Sequence, residues 1–267
     1  MRARVHTWHP HTPHSHAYKD GYCIPAAFRL SPDELEWIKS RQAKLVRKHA
    51  TEHPEYADYI PHLLPLDPAF AGVVRRNPAL VAMVQQVVGK DVCLWNQSFF
   101  AKPPLTGRKV PFHQDGEYWP IRPLATCTVW IAIDHSRIDN GCLHVVPGSH
   151  RAHRLFEHEH KDDTSLALSL EIKGGAYDHT RAVPIELEPG QVSLHDVYLI
   201  HGSEANTSSS PRRGMTCRFM PTTSVYDRHI AITPLLSSLP LYHAAGRDVS
   251  GKNTFVGSVS SESHSKL

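Results

Sequence analysis

The spacing of apolar residues changes once along this chain. Before residue 90 they recur at helical intervals, first as Leu35, Ile38, Leu45 and Val46, then as Leu80, Val81, Val84, Val87 and Val88. Ser31-Pro32-Asp33-Glu34 sets a serine at the N-cap, proline at the first helical position and glutamate at the third. That is a capping box, and it predicts a helix starting at Pro32. Asn77-Pro78 opens the second helix and Gly89 closes it. From Val92 onward the apolar runs become short and β-prone, at 92–100, 125–133, 143–146, 183–187, 192–195, 198–201 and 215–221. Pro103-Pro104, Asn140-Gly141, Pro147-Gly148, Gly174-Gly175 and Pro189-Gly190 punctuate them. Two scaffold helices followed by many short strands predict a mainly β fold, a sandwich, jelly roll or barrel.

Residues 150–182 interrupt the β region with a polar, His- and charge-rich stretch. Insertions of that length serve as functional loops, and a lid over a site is expected here. Residues 1–16, with five histidines among prolines, and 257–267, rich in serine, read as flexible termini. The 267 residues carry no internal repeat and no composition shift that marks a boundary, so a single domain is expected.

Composition narrows the function classes. A net charge of +3 without a basic run excludes a nucleic-acid surface, and no apolar stretch is long enough for a membrane span. Cys23, Cys93, Cys127, Cys142 and Cys217 are odd in number with no Cys-x-x-Cys pair, which predicts reduced thiols. Cys127 and Cys142 in particular read as buried and inert. Ser265-Lys266-Leu267 spells a peroxisomal import address that an import receptor would read. Peroxisomal localisation is expected in a eukaryotic source, cytoplasmic otherwise.

Candidate chemistry centres on His113-Gln114-Asp115. On an extended chain, positions i and i+2 share a face, so an imidazole and a carboxylate can meet one ion. With 21 histidines and 14 aspartates, about one His-x-Asp arises by chance. A second copy, His160-Lys161-Asp162, lies in a charged run without strand character and reads as solvated surface. Context favours the first. Tyr118, Trp119 and Pro120 follow it, His201 ends an apolar run just before Gly202, and Arg212 stands eleven residues beyond. A hairpin of that length would return a guanidinium to the metal, where its planar fork suits a small dicarboxylate. Two histidines and one carboxylate with open positions are the facial triad of non-haem Fe(II) oxygenases.

Other conspicuous residues read more plainly. Asn140-Gly141-Cys142 and Pro147-Gly148-Ser149-His150 suit turns, His150 included. His195-Asp196 reads as turn chemistry, with support of the metal ligands as the lesser reading. Arg122, Arg137, Arg151 and Arg154 could meet phosphates, but a solvated basic rim explains them.

AKPPLTGRKVPFHQDGEYWPIRP (101–123), VWIAID, NGCLHVVPGSH and LIHGSEANTSSSPRRG together resemble the phytanoyl-CoA dioxygenase family, from Asp20 to about Asn253. The resemblance implies a double-stranded β-helix, a cupin-like jelly roll flanked by N-terminal helices. It also implies Fe(II) on His113, Asp115 and His201, with Arg212 on the distal carboxylate of 2-oxoglutarate and Ser203 assisting. Trp130 and Ser98 would line the co-substrate pocket. Arg213 competes for the role of Arg212, and side-chain alternation allows only one of them to face inward. Asp115 stands where related halogenases carry a small residue, which favours oxygenation. The implied reaction consumes O2 and 2-oxoglutarate, releases succinate and carbon dioxide, and hydroxylates an unactivated C–H bond of a small organic substrate. Ascorbate is expected to support activity.

An acyl-CoA hydroxylated at C2 is the first substrate expectation; a natural-product hydroxylase or desaturase is the second. A non-catalytic jelly-roll binding module is a different class, disfavoured because the three ligands and Arg212 occur together. Zinc hydrolysis ranks last, with no His-Glu-x-x-His and no role for Arg212.

Overall fold

The computed structural model describes residues 19–256. The His-rich stretch 1–16 and the tail with Ser265-Lys266-Leu267 lie outside them.

In chain order the strands are β1 Tyr22–Cys23, β2 Tyr59–Ile60, β3 Val92–Lys102, β4 Val110–His113, β5 Ile121–Arg122, β6 Cys127–Ala132, β7 Leu143–Val145, β8 His158–His160, β9 Leu170–Ile172, β10 Val183–Ile185, β11 Val192–Asp196, β12 His201–Ser203, β13 Arg212–Pro221, β14 Val225–Tyr226 and β15 Tyr242–Ala245. The helices are α1 Pro32–Lys48, α2 Leu63–Leu66, α3 Ala71–Arg75, α4 Pro78–Val88 and α5 Pro234–Ser237. Helix α1 begins where its capping box predicts. The Ser31 hydroxyl accepts from the Glu34 amide at 3.3 Å, and the Glu34 carboxylate accepts from the Ser31 amide at 2.9 Å. Gly89 ends α4 with φ at 98°, a conformation glycine adopts without steric cost.

Two antiparallel sheets face each other. The larger runs β1-β11-β6-β13-β3-β15, with β2 also on β3; the smaller runs β10-β7-β12-β4. This is the jelly-roll core, mainly β, with α1 to α4 packed on the outer face of the larger sheet. Alternation along the strands explains the layering. Val129 and Ile131 of β6, and Met215, Cys217 and Phe219 of β13, share a cluster with Ile38 and Leu45 of α1 and Leu80 and Val84 of α4. Fully burying one such aliphatic side chain contributes about 1.5–3 kcal/mol. The opposite face of the same strands carries Thr128, Trp130, Thr216 and Arg218, which line cavities between the sheets.

Three local expectations need correction. The run 198–201 is not a strand. Asp196 accepts from the Tyr198 amide at 2.8 Å and starts a turn, and His201 is the first residue of β12. The return from His201 to Arg212 is not a hairpin, because β12 and β13 belong to different sheets. The Asn206 amide holds this crossover by donating to the carbonyls of Lys102, Pro103 and Ser210. The charged run around His160 does form a strand, β8, paired with β9. Within 150–182 this hairpin is anchored by an apolar cluster of Phe112, Val146, Ile172 and Ile200, against which Phe156 and Tyr177 pack.

Candidate metal centre

His113 ends β4 and His201 begins β12, and the two are direct register partners. Their rings stand 4.3 Å apart between centroids. Strand β4 stops at His113, and Asp115 opens a 3-10 turn over Asp115–Tyr118. Gln114 nevertheless keeps extended dihedrals (φ −118°, ψ 130°), so the two-residue alternation carries the carboxylate to the same face as the imidazole. Asp115 Oδ1 lies 3.7 Å from His113 Nε2 and 3.8 Å from His201 Nε2. One ligand atom from each residue falls within 4.8 Å of the others, and all three residues are buried. Among the described residues no other group of three His, Cys, Asp or Glu is so arranged. An ion with bonds of about 2 Å bridges donors at such spacings.

Both histidines have their tautomer fixed. His113 Nδ1–H donates to the Pro111 carbonyl at 2.8 Å and His201 Nδ1–H to the Leu199 carbonyl at 2.9 Å. Each Nε2 therefore presents a lone pair towards Asp115, the orientation a metal needs. Burial, with His113 alongside, pushes the His201 imidazole down to about 3, so it is neutral at ordinary pH. Desolvation alone would raise the Asp115 carboxyl. The His113 and His195 imidazoles beside it, with His201 and Arg218 behind, overcome that and hold it well below the usual carboxylate range. A neutral His201 imidazole and an ionised Asp115 carboxylate are in the protonation states that bind a cation.

Neighbouring groups orient the carboxylate. Thr128 donates to Asp115 Oδ2 at 3.3 Å, and His195 Nε2 lies 3.7 Å from the same oxygen. His195 is thus a strand residue beside the triad rather than a turn residue. Gln114, fully buried, points away from the ligands and ties three segments together. Its amide nitrogen donates to the carbonyls of Arg154 and Tyr198, and its oxygen accepts from the Phe156 amide at 2.7 Å. The Gln114 backbone N–H also donates to His158 Nε2 at 3.1 Å.

A cavity opens beside the three ligands, lined by Arg212, Trp130, Ser203, Thr216 and Arg218 among others. Arg212 is 3% exposed. It donates twice to the Gly141 carbonyl, at 3.1 and 2.9 Å, and once to the Phe100 carbonyl at 3.3 Å, with the Trp130 ring 5.6 Å from its guanidinium. Burial pulls it down to about 10, still charged at neutral pH. Its hydrogen bonds go to carbonyls and leave the positive charge unmatched. Arg213 faces the other way and pairs with Asp134 at 2.8 Å. Ser98 does not line this cavity; its hydroxyl donates to the Pro61 carbonyl at 2.7 Å and accepts from Arg218. Behind the cavity the buried Lys102 ammonium donates to the carbonyls of Arg108, Ser203 and Glu204, fixing the end of β12. Burial and the Arg212 charge draw that ammonium down to about 6, while its three carbonyl acceptors favour the charged form.

Sequence reasoning passed over Thr128, Lys102 and Arg218 and gave His195 only a lesser place. Alternation along β6 and β13 was the available signal, since Thr128 and Arg218 share a face with Trp130 and Arg212. The side chain of Tyr118 lies outside the described part. Of the four arginines considered for phosphates, Arg137 pairs with Glu188, Arg122 donates to the carbonyls of Trp119 and Ile121, and Arg151 to that of Lys19. Arg154 lies over Phe156 at 4.9 Å.

Comparison with known proteins agrees with this geometry. The family model for phytanoyl-CoA dioxygenase (PhyH) matches residues 17–214. A probable phytanoyl-CoA dioxygenase of Caenorhabditis elegans is 31% identical over 155 residues, 54% of this chain and 48% of that protein. The peroxisomal phytanoyl-CoA dioxygenase of Homo sapiens is 30% identical over 148 residues, 53% of this chain and 43% of that protein. The chain thus spans about half the length of the curated relatives it matches. Among solved structures, the non-haem monooxygenase ThoJ superposes with a TM-score of 0.70 at 21% identity, covering 89% of this chain and 85% of its own. The α-ketoglutarate-dependent carbocyclase SnoK gives 0.63 at 22% identity, covering 79% and 83%. These likenesses establish the shared fold. With the family model covering most of the described residues, including both histidines and the aspartate, the chain belongs to the phytanoyl-CoA dioxygenase family.

Proposed function

We propose that this protein is an Fe(II)- and 2-oxoglutarate-dependent dioxygenase that hydroxylates an unactivated C–H bond of a small organic substrate. One observation carries the reading. The His113–Asp115–His201 donor set and the buried, uncompensated charge of Arg212 open onto the same cavity. Two imidazoles, one carboxylate and open positions suit iron in oxygenases of this kind. A buried guanidinium without a carboxylate partner suits the far end of a dicarboxylate co-substrate.

When bound, the iron and 2-oxoglutarate supply the oxidising power; with O2 they yield succinate, carbon dioxide and a hydroxylated product. The chain's own residues do the rest. His113, Asp115 and His201 hold the ion, with each imidazole fixed through its Nδ1 hydrogen bond. Arg212 grips the distal carboxylate, Ser203 assists, and Trp130 walls the pocket. Thr128 and His195 keep the Asp115 carboxylate aimed. The apolar walls exclude water from the reacting centre.

Acyl-CoA C2 hydroxylation is the version the curated relatives' names suggest. A natural-product hydroxylase is the second version; of the four arginines considered for coenzyme A phosphates, Arg137 pairs with a carboxylate, that of Glu188. The bovine and human relatives named as peroxisomal support the same compartment within this proposal.

The test is turnover. Anaerobically purified protein supplied with Fe(II), ascorbate, 2-oxoglutarate and air should form succinate and consume O2, and His113→Ala and Arg212→Ala should abolish both. Succinate formation that survives either substitution would count against the proposed site.

A further inference from the structure

A second cavity, of about 230 Å³, also reaches His113 and Asp115; it shares Arg218 with the first but not Arg212. Trp95, Trp119, Phe100 and Leu236 form apolar walls, and Trp95 and Trp119 meet edge to face at 4.7 Å. At its mouth stand Leu168 and Ser169, contributed by the 150–182 insertion, and Ile232, which is 68% exposed.

One cation enters this chamber. Arg218 rises from β13 on the same face as Arg212, paired in register with Thr128 and Asn96. It is 5% exposed and lines both cavities. Its guanidinium donates to Ser98 Oγ and sits 5.3 Å from the Trp119 ring and 6.0 Å from that of Phe100, while Nε has no hydrogen-bond partner. Among the described residues no carboxylate lies within ion-pair distance of it. The Asp115 carboxylate is felt there, and a metal ion would take that charge up. The charge balance then points one way. A divalent ion, Arg212 and Arg218 against Asp115 and a dicarboxylate leave one positive charge over, beside an apolar chamber. Lys102 lines neither cavity.

We propose that this chamber binds the substrate and that Arg218 receives its carboxylate, selecting a compact monoanion with an apolar or aromatic body. The inference rests on the dioxygenase reading for the identity of the first cavity and deepens it by naming the substrate class. It disfavours coenzyme A esters, because the chamber's described lining holds no lysine or other arginine to meet phosphates. The aromatic walls would stack on the substrate body while Arg218 sets its orientation, which fixes the carbon presented to the metal.

The experiment uses the full chain loaded anaerobically with Mn(II) and saturated with 2-oxoglutarate, so that Arg212 is occupied. It is titrated calorimetrically with hydrocinnamate, octanoate and indoleacetate, and with the primary amide of each. At least one acid should bind about tenfold or more tightly than its amide, as expected when a charge-assisted pair is lost. Arg218→Met should remove that preference, and Arg218→Lys should keep part of it. The proposal is overturned if no acid binds, if every acid and its amide agree within about twofold, or if Arg218→Met keeps the preference. The wild-type comparison stands without either variant should one fail to fold. The preceding 2-oxoglutarate titration reports separately on the dioxygenase reading. If that co-substrate does not bind, the reading falls while the acid-to-amide ratio still decides the chamber.

Discussion

His113 and His201 face each other as register partners across β4 and β12, with both Nε2 atoms converging on Asp115 Oδ1. The metal geometry is therefore written into a strand pairing. A slip of one residue in that register would turn one imidazole to the opposite face and dismantle the donor set. The small sheet holds both histidines and the turn straight after β4 holds Asp115, and the groups around them have distinct, testable duties.

Thr128 orients the carboxylate without touching the ion. Thr128→Val keeps the side-chain shape but deletes the hydrogen bond to Asp115 Oδ2. Affinity for Mn(II) or Co(II) should fall by about tenfold or more, as for other partners of metal ligands. Metal titration of the two proteins checks this; equal affinities would mean Asp115 needs no such support.

Gly214 makes room for Trp130. A Cβ at 214 would lie 2.0 Å from the indole Cζ2, so Gly214→Ala must push the ring from its place beside Arg212. The expected result is a destabilisation of about 1–3 kcal/mol and a raised KM for 2-oxoglutarate. Denaturant melts and co-substrate kinetics read the two effects separately.

Gln114 joins the metal turn to the insertion. Gln114→Leu would strip partners from the carbonyls of Arg154 and Tyr198 and from the Phe156 amide. Each buried group left unpaired costs about 1–3 kcal/mol. Limited proteolysis should then cut within 150–182 sooner than in the wild type, while an unchanged cleavage rate would show the insertion held by its apolar cluster alone.

Acid should weaken the metal-free fold through His201. Its folded value of about 3 lies below its ordinary 6.5, so the unfolded chain binds the extra proton. The stabilisation from keeping it neutral is complete above 6.5 and is lost as pH falls from there towards 3, on the order of a few kcal/mol. Metal-free His201→Gln should show a shallower fall in Tm across that window than the wild type. Parallel curves would place the acid sensitivity elsewhere.

Much of this was legible in the sequence because it depended on local pattern. The capping box at Ser31, the Asn77–Gly89 helix and the longer strands were each signalled within a few residues. Arg212 was preferred to Arg213 on its spacing from His201, and alternation permits only one of two neighbours to face inward. Two-residue strands such as β1, β5 and β14 were not legible, since so short a run shows no alternation, whereas the three-residue β7 and β10 were marked by the runs at 143–146 and 183–187. His195, Thr128 and Arg218 look like ordinary strand residues until β6, β11 and β13 lie side by side in one sheet. The step from β12 to β13 resembled a hairpin in length, and only the side chain of Asn206 reveals why it crosses between sheets instead.

The most direct test of the central claim is a calorimetric titration of 2-oxoglutarate into the Mn(II)-loaded protein and its variants. The account predicts one binding site that disappears without metal or with Asp115→Ala. It should weaken by about a hundredfold in Arg212→Met and stay within about twofold in Arg213→Met, whose pair with Asp134 faces outward. Failure of the wild type to bind, or binding indifferent to Arg212 and to the metal, would contradict it.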